Sequence, residues 1–153
     1  MPTRVRSKSD MNADTCKFRG QGFAFTATKN STTSHDYVLT ENRIIETPQV
    51  MFKNHVWGDH FRFQIIVDPN NAFTVPEGFG SIPVGTVLPA GTLLEEFATT
   101  WYVNPDLCAQ ARPDLQYSAE VPAGLAIRII YTSTGTTNDV ECKINFFAHK
   151  YLA

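Results

Sequence analysis

Two stretches of strict alternation near the C-terminus constrain the fold most. Apolar side chains occupy every second position of residues 125–131 and of residues 140–146, namely Leu125, Ile127, Ile129, Tyr131, Val140, Cys142, Ile144 and Phe146. A period of two places such side chains on one face of a β-strand. The polar segment between them contains Gly135, as expected of a turn. The sequence therefore predicts an antiparallel hairpin over residues 124–149, whose apolar face needs a second layer to cover it.

Shorter strands are predicted throughout the rest of the chain. They cover residues 22–29, 36–40, 43–50, 60–68, 86–88 and 95–103, with a polar turn at 30–34. Two long connections rich in proline, residues 69–92 and 104–122, separate the later strands. Many short strands joined by a few long crossings are typical of a Greek-key or jelly-roll path. We therefore predict an all-β fold, a two-sheet antiparallel sandwich of jelly-roll or Greek-key type.

The N-terminal residues differ in character from the remainder. Residues 1–19 are polar and lack periodicity, which predicts an extended basic arm in front of a single domain at 20–153. Residues 1–20 carry five basic and two acidic side chains, a formal charge of +3 within a chain of net charge −2. Such an arm suits an acidic partner surface, and the alternative is a solvated tail. The overall charge predicts no direct contact with nucleic acid.

Cysteine usage and hydropathy give no sign of secretion or of a membrane span. The three cysteines, Cys16, Cys108 and Cys142, are odd in number and widely spaced, so we expect reduced thiols in a protein made in the cytoplasm. Arg4, Arg6 and Lys8 are not followed by the apolar run of a signal peptide. No apolar run approaches the ~20 residues that span a bilayer.

Motifs for catalysis and metal binding are missing from the sequence. His55 and His60 bracket Asp59, but the chain has neither H-E-x-x-H nor a G-x-S-x-G elbow, and Gly58-Asp59 predicts a turn before a strand. Glu95 and Glu96 are neighbours on a predicted strand and therefore point to opposite faces. We accordingly expect no enzyme activity, no catalytic residue, no cofactor and no metal.

Four aromatic residues are predicted to lie in loops or on outer faces: Trp57, Phe73, Phe79 and Tyr102. Exposed aromatic side chains beside polar groups bind sugars or anchor protein interfaces. We favour a protein interface, because the Pro/Gly-rich segment adds rigid apolar area around Phe73 and Phe79. The alternative is that one or two of these rings close the ends of the sandwich.

Four stretches, residues 36–40, 58–65, 96–105 and 122–150, give the chain a resemblance to a known group. It resembles the small all-β accessory proteins of tailed-bacteriophage virions, namely capsid decoration (cement) proteins and related neck or tail adaptors. The resemblance implies a jelly-roll or immunoglobulin-like sandwich, homo-oligomers (dimers or trimers), an arm laid over the shell and no catalysis. No individual residue role carries over.

The resulting expectation is a structural virion protein that binds and stabilises an assembled capsid shell. The partner would be the major capsid protein or another virion protein. The contacts would come from the basic arm (Arg4, Arg6, Lys8), the aromatic residues and the 69–92 segment. A neck or tail adaptor is one alternative. A carbohydrate-binding receptor-recognition module is another, and it predicts exposed Trp or Tyr with Asp or Asn at one end of the sandwich.

Overall fold

The computed structural model describes residues 22–46, 49–106, 109–110, 118–145 and 148–150. These residues form thirteen strands and no helix, and accordingly contain no helix long and apolar enough to cross a membrane. The predicted arm, with Arg4, Arg6 and Lys8, lies outside them.

The strands range from two to ten residues in length. In chain order they are β1 (Gly22–Ala27), β2 (Ser31–Val38), β3 (Arg43–Glu46), β4 (Gln49–Lys53), β5 (His60–Val67), β6 (Phe73–Thr74), β7 (Val87–Leu88), β8 (Leu93–Tyr102), β9 (Ala109–Gln110), β10 (Ser118–Val121), β11 (Leu125–Ser133), β12 (Val140–Asn145) and β13 (Ala148–Lys150).

All strand pairs are antiparallel and form four sheets. Two sheets have four strands, in the orders β1-β12-β4-β9 and β2-β11-β5-β8. A three-stranded sheet has the order β10-β3-β13, and β6 pairs with β7. The predicted all-β class is therefore confirmed.

The predicted C-terminal hairpin is wrong in its pairing, although its alternation is right. β11 pairs with β2 and β5, whereas β12 pairs with β1 and β4, so the two strands belong to different sheets. Their apolar faces nevertheless contribute to one buried cluster, with Ile127 and Ile129 from β11 and Cys142 and Ile144 from β12. Membership of one shared cluster buries both apolar stripes, whereas pairing side by side leaves one common face uncovered.

Two further boundaries differ from the sequence prediction. The turn predicted at 30–34 is found at Lys29 and Asn30 instead. Asn30 has a φ of +48°, which lies in the left-handed region. The polar residues that follow form the start of β2, where Thr32 and Thr132 hydroxyls meet across the strands at 3.1 Å. The predicted strand at 43–50 is two strands, β3 and β4, in different sheets. The strands predicted at 22–29, 60–68, 86–88 and 95–103 are confirmed.

The strand registers place the loops at two opposite ends. Ala27 is opposite Val140, Lys53 opposite Glu141, and His60 opposite both Thr132 and Tyr102. Residues 28–30, 54–59, 103–106 and 134–139 therefore share one end, called the Asp59 end below. Val67 is opposite Leu125, and the amide of Gly124 donates to the carbonyl of Leu39 at 3.0 Å. Residues 39–42, 68–92 and 122–124 therefore share the other end, called the Gly124 end.

Candidate functional site: the Asp59 end

A fully buried carboxylate organises the Asp59 end. One oxygen of Asp59 accepts hydrogen bonds from the amide and the hydroxyl of Thr134, both at 2.8 Å. The other accepts from the Tyr131 hydroxyl at 2.7 Å and from the Val56 amide at 3.3 Å. A buried carboxylate is tolerated only when donors replace the water it loses. Asp59 thus joins the 54–59 loop to the end of β11.

The local sequence of the 54–59 loop favours this arrangement. The amide of Asp59 donates back to the carbonyl of Val56 at 3.2 Å, which closes a tight turn. Gly58 has a φ of +95°, and a Cβ at this position would lie 3.3 Å from the Thr134 hydroxyl oxygen. Glycine is suited to both the backbone conformation and the close approach.

Tyr131 serves this site as a neutral hydrogen-bond donor. Burial, and then the hydrogen bond to Asp59, raise the pKa of Tyr131 far above its ordinary value of 10.0. Its ring packs against Phe52 at a centroid distance of 5.2 Å, and Phe52 also contacts Phe61 at 5.2 Å. The ring whose hydroxyl binds Asp59 is therefore packed among the aromatic side chains of the core.

The same loops present large apolar side chains to solvent. Trp57 is 68% exposed, Tyr102 64% and Val56 39%, and these three residues are called the Trp57 surface below. They flank one segment: Trp57 precedes Gly58, and the Tyr102 ring lies 5.3 Å from that of His60. The predicted exposure of Trp57 and Tyr102 is thus observed.

The backbone that carries the Trp57 surface is held in place by hydrogen bonds. The Thr134 hydroxyl lies 3.4 Å from the carbonyl oxygen of Trp57, and the amide of Val103 donates to the carbonyl of Asp59 at 3.0 Å. A backbone that is already held loses little further conformational entropy when a partner covers it. The arrangement is therefore suited to binding.

Phe73 does not belong to an exposed aromatic set. It is 7% exposed and lies at the Gly124 end, where a Cβ on Gly124 would be 3.2 Å from its ring. Phe79 packs on it with ring centroids 5.4 Å apart and is half-buried. The expectation that Phe73 is exposed is therefore wrong, because this ring closes the Gly124 end of the core, as the alternative interpretation predicts.

The histidines at the Asp59 end are engaged in the fold. The Nε2 atom of His55 lies 3.2 Å from the carbonyl oxygen of Asn104, and Nδ1 of His60 lies 3.3 Å from that of Gly58. Within the described ranges, no three His, Cys, Asp or Glu residues are grouped in a way that could hold a metal ion.

A polar row crosses the outer face of the β2-β11-β5-β8 sheet. Arg128 donates to both carboxylate oxygens of Asp36, at 2.6 and 2.9 Å, and this pairing raises the pKa of the guanidinium. In register beside them, the Gln64 amide donates to Glu96 at 3.1 Å. Each charged group of the row has a partner in the sheet, so the row stabilises strand pairing.

The sequence alone does not reveal the Asp59 centre. The turn that it predicts at Gly58-Asp59 is correct, but the partners Tyr131 and Thr134 lie 72 and 75 residues away. The available signal was an acidic residue that closely follows the apolar loop residues Val56 and Trp57, since a carboxylate in apolar surroundings needs hydrogen-bond donors.

Comparison of the chain with models of known protein families found no match, and comparison with curated proteins found no similar sequence.

Proposed function

We propose that the protein is a structural virion protein that binds an assembled capsid shell and bridges neighbouring capsid subunits. The resemblance to accessory proteins of tailed-bacteriophage virions supplies the kind of partner. The observation that carries the proposal is the Trp57 surface, where exposed aromatic side chains lie on a backbone held by a buried carboxylate. Trp and Tyr are the side chains that most often anchor protein interfaces.

The sheet arrangement supports a jelly-roll sandwich as the body of such a protein. Apart from β5 and β8, which pair with each other, successive strands of the two four-stranded sheets alternate along the chain, with β1, β4, β9 and β12 in one and β2, β5, β8 and β11 in the other. This path crosses repeatedly between two layers, which is the pattern of a jelly roll. Jelly rolls occur in capsid proteins, lectins and cupins, so the architecture alone does not assign the function.

Binding by this body is multivalent in the proposed mechanism. The Trp57 surface contacts one capsid subunit, and the basic arm with Arg4, Arg6 and Lys8 reaches a neighbour. Two weak contacts on one rigid body raise the overall affinity through effective concentration. The shell subunits are thereby cross-linked against outward pressure.

The first experiment counts the chain in purified particles. Particles are isolated on a density gradient from the culture that naturally produces the chain, and quantitative mass spectrometry measures its copies per particle. The resemblance implies hundreds of copies for a shell protein and about a dozen for a neck or tail adaptor. Absence from the particle fraction contradicts the proposal in either form.

The second experiment assigns the contact surface. Cosedimentation with shells prepared without the chain is measured for wild type, for Trp57→Ala/Tyr102→Ala and for a variant lacking residues 1–15. We expect both variants to bind more weakly while their melting temperatures stay close to that of wild type. Lys143→Ala, on an exposed position of β12, is the matched control and should bind normally. Unchanged binding of both variants contradicts the assigned contacts.

A carbohydrate-binding module is the second candidate, and one observation favours it. The Asp59 end combines the exposed rings of Trp57 and Tyr102 with nearby polar residues, including Asp106 and Asn138. This is the combination that the carbohydrate hypothesis predicts. A glycan array separates the candidates: binding that disappears in Trp57→Ala supports the sugar site, and no binding above background rejects it.

A further inference from the structure

A short turn motif occurs three times at the Gly124 end. Residues 83–88 read Pro-Val-Gly-Thr-Val-Leu, residues 89–94 read Pro-Ala-Gly-Thr-Leu-Leu, and residues 122–125 read Pro-Ala-Gly-Leu. In each, the carbonyl of the proline accepts a hydrogen bond from the amide three residues later, at 3.2, 3.2 and 3.4 Å. The third residue has a positive φ in all three, namely +87° at Gly85, +77° at Gly91 and +94° at Gly124. These are the features of a type II β-turn with glycine at its third position.

Each of the three turns holds the backbone of one buried residue. The amide of Gly85 donates to the carbonyl of Val75, and the amide of Val75 donates to the carbonyl of Thr86, both at 2.9 Å. In the same way the second turn holds Val67, at 3.2 and 2.9 Å, and the third holds Leu39, at 3.0 and 2.8 Å. All three held side chains belong to the core cluster. The three arrangements are called the first, second and third clasp below.

The clasps give residues 68–92, called the lid below, a structure of their own. The first clasp lies wholly within the lid. The second brings the two ends of the lid together, because Val67 is bonded to both Gly91 and Thr92. The third fixes Gly124, where a Cβ would lie 3.2 Å from the ring of Phe73. The lid is therefore internally braced, closed at its base and seated on a fixed position of the body.

Hydrogen bonds do not tie the middle of the lid to the body. Within the described ranges, residues 69–90 form hydrogen bonds only with partners in residues 68–92. What joins the lid to the core cluster is apolar packing, by buried Phe73 and Val75 and by half-buried Phe79, Ile82 and Leu88. At the base, the amide of Asp68 donates to the carbonyl of Gly124 at 3.1 Å.

This division of contacts favours movement of the lid as one body. Separation from the core costs the burial of its apolar side chains. It leaves the hydrogen bonds inside the lid intact, whereas unravelling the lid would also expose unpaired amides and carbonyls.

We propose that residues 68–92 are a hinged lid that opens as one unit at the second clasp and closes by placing Phe73 beside Gly124. In the open form Phe73 and Val75 reach solvent, while the first clasp stays formed. The inference goes beyond the proposed function, because the motion belongs to the isolated chain and needs neither a shell nor any other partner.

The test compares two new thiols in the full-length chain, Val75→Cys in the lid and Val50→Cys in β4. The two valines are matched, since they are 1% and 0% exposed. Modification by iodoacetamide is followed by mass spectrometry of the separate peptides, so the native cysteines do not interfere. We expect the thiol of Val75→Cys to react about 100-fold faster than that of Val50→Cys in the absence of urea. Its rate should also rise less steeply with urea, because lid opening exposes less surface than global unfolding. Equal rates with equal urea dependence would overturn the proposal.

Hydrogen exchange of the wild-type chain distinguishes lifting from unravelling. The amides of Val75 and Gly85 form the first clasp and should stay protected while the lid is open. The open fraction calculated from their exchange should be smaller, by about tenfold or more, than the fraction calculated from the reactivity of Val75→Cys. Agreement of the two fractions would show that the lid unravels and would overturn the proposal.

Two variants in the Val75→Cys background test the role of Phe73 in closure. Phe73→Leu removes part of the buried ring and should accelerate modification about tenfold. Val84→Ser changes a side chain of the same lid that is 62% exposed and should leave the rate unchanged. An unchanged rate in Phe73→Leu would overturn the proposal, as would equal acceleration by both variants.

Discussion

Replacement of Asp59 by asparagine tests whether one buried carboxylate holds the Asp59 end together. The asparagine side chain has nearly the same shape as the aspartate, but it has one acceptor oxygen instead of two. If that oxygen serves the amide and hydroxyl of Thr134, the new amide hydrogens face the Tyr131 hydroxyl and the Val56 amide. At least one donor of the present site then loses its acceptor.

The expected loss follows from these contacts. A hydrogen bond to a charged group contributes about 1.5–3 kcal/mol, and a buried donor left without an acceptor costs about 1–3 kcal/mol. Since the asparagine keeps the contacts to Thr134 in weaker form, we expect Asp59→Asn to lower the free energy of unfolding by about 2–4 kcal/mol. This is a large part of the total for a domain of this size, which is typically about 5–15 kcal/mol.

The assay is equilibrium unfolding in urea, followed by tryptophan fluorescence, with Asp59→Asn, Tyr131→Phe and the double variant. Because Tyr131 donates to Asp59 directly, Tyr131→Phe should cost about 1–2 kcal/mol less in the Asp59→Asn background than in wild type. Asp106→Asn, at an exposed position of the same end, is the control and should stay within about 0.5 kcal/mol of wild type. Hydrogen exchange of residues 54–59 should accelerate in Asp59→Asn beyond the change in global stability.

Two results would refute this reasoning. A loss below about 1 kcal/mol in Asp59→Asn would show that the carboxylate is not a structural centre. Strict additivity of Asp59→Asn and Tyr131→Phe would show that their 2.7 Å contact contributes nothing to stability.

Three other changes are predicted from the same structure. Gly124→Ala should cost more than about 1 kcal/mol in urea unfolding, because φ is +94° and the new Cβ would press on Phe73 at 3.2 Å; no loss would contradict this. Arg128→Lys should cost about 1 kcal/mol, since lysine keeps the charge but not the two-point pairing with Asp36, and a neutral result would show that the pair is solvated. Burial raises the pKa of Cys142 above its ordinary 9.0, so the folded state favours the neutral thiol and stability falls as pH rises above 9. Between about pH 9 and 10 in reducing buffer the thiol should contribute a slope of up to about 1.4 kcal/mol per pH unit, and Cys142→Val should lack it.

Local patterns predicted the strands and their faces with good success. The alternation in residues 125–131 and 140–144 specified which side chains are buried, since a pleated strand turns neighbours to opposite sides whatever it pairs with. It did not specify the pairing, because backbone amides and carbonyls are the same in every strand and any two strands satisfy them. The predicted hairpin of β11 and β12 failed for that reason.

At the candidate site, too, local sequence predicted some properties of the residues, and only the tertiary structure decided others. Trp57 and Tyr102 were recognisable as exposed because each stands beside turn or loop residues. Phe73 stands in similar surroundings yet is buried, because Gly124 from another part of the chain leaves room for its ring. Composition and periodicity thus specify which elements form and which of their faces avoid water. The partners of those faces, and the donors that allow Asp59 to be buried, depend on groups 72 and 75 residues apart meeting in space, and no local pattern encodes that meeting.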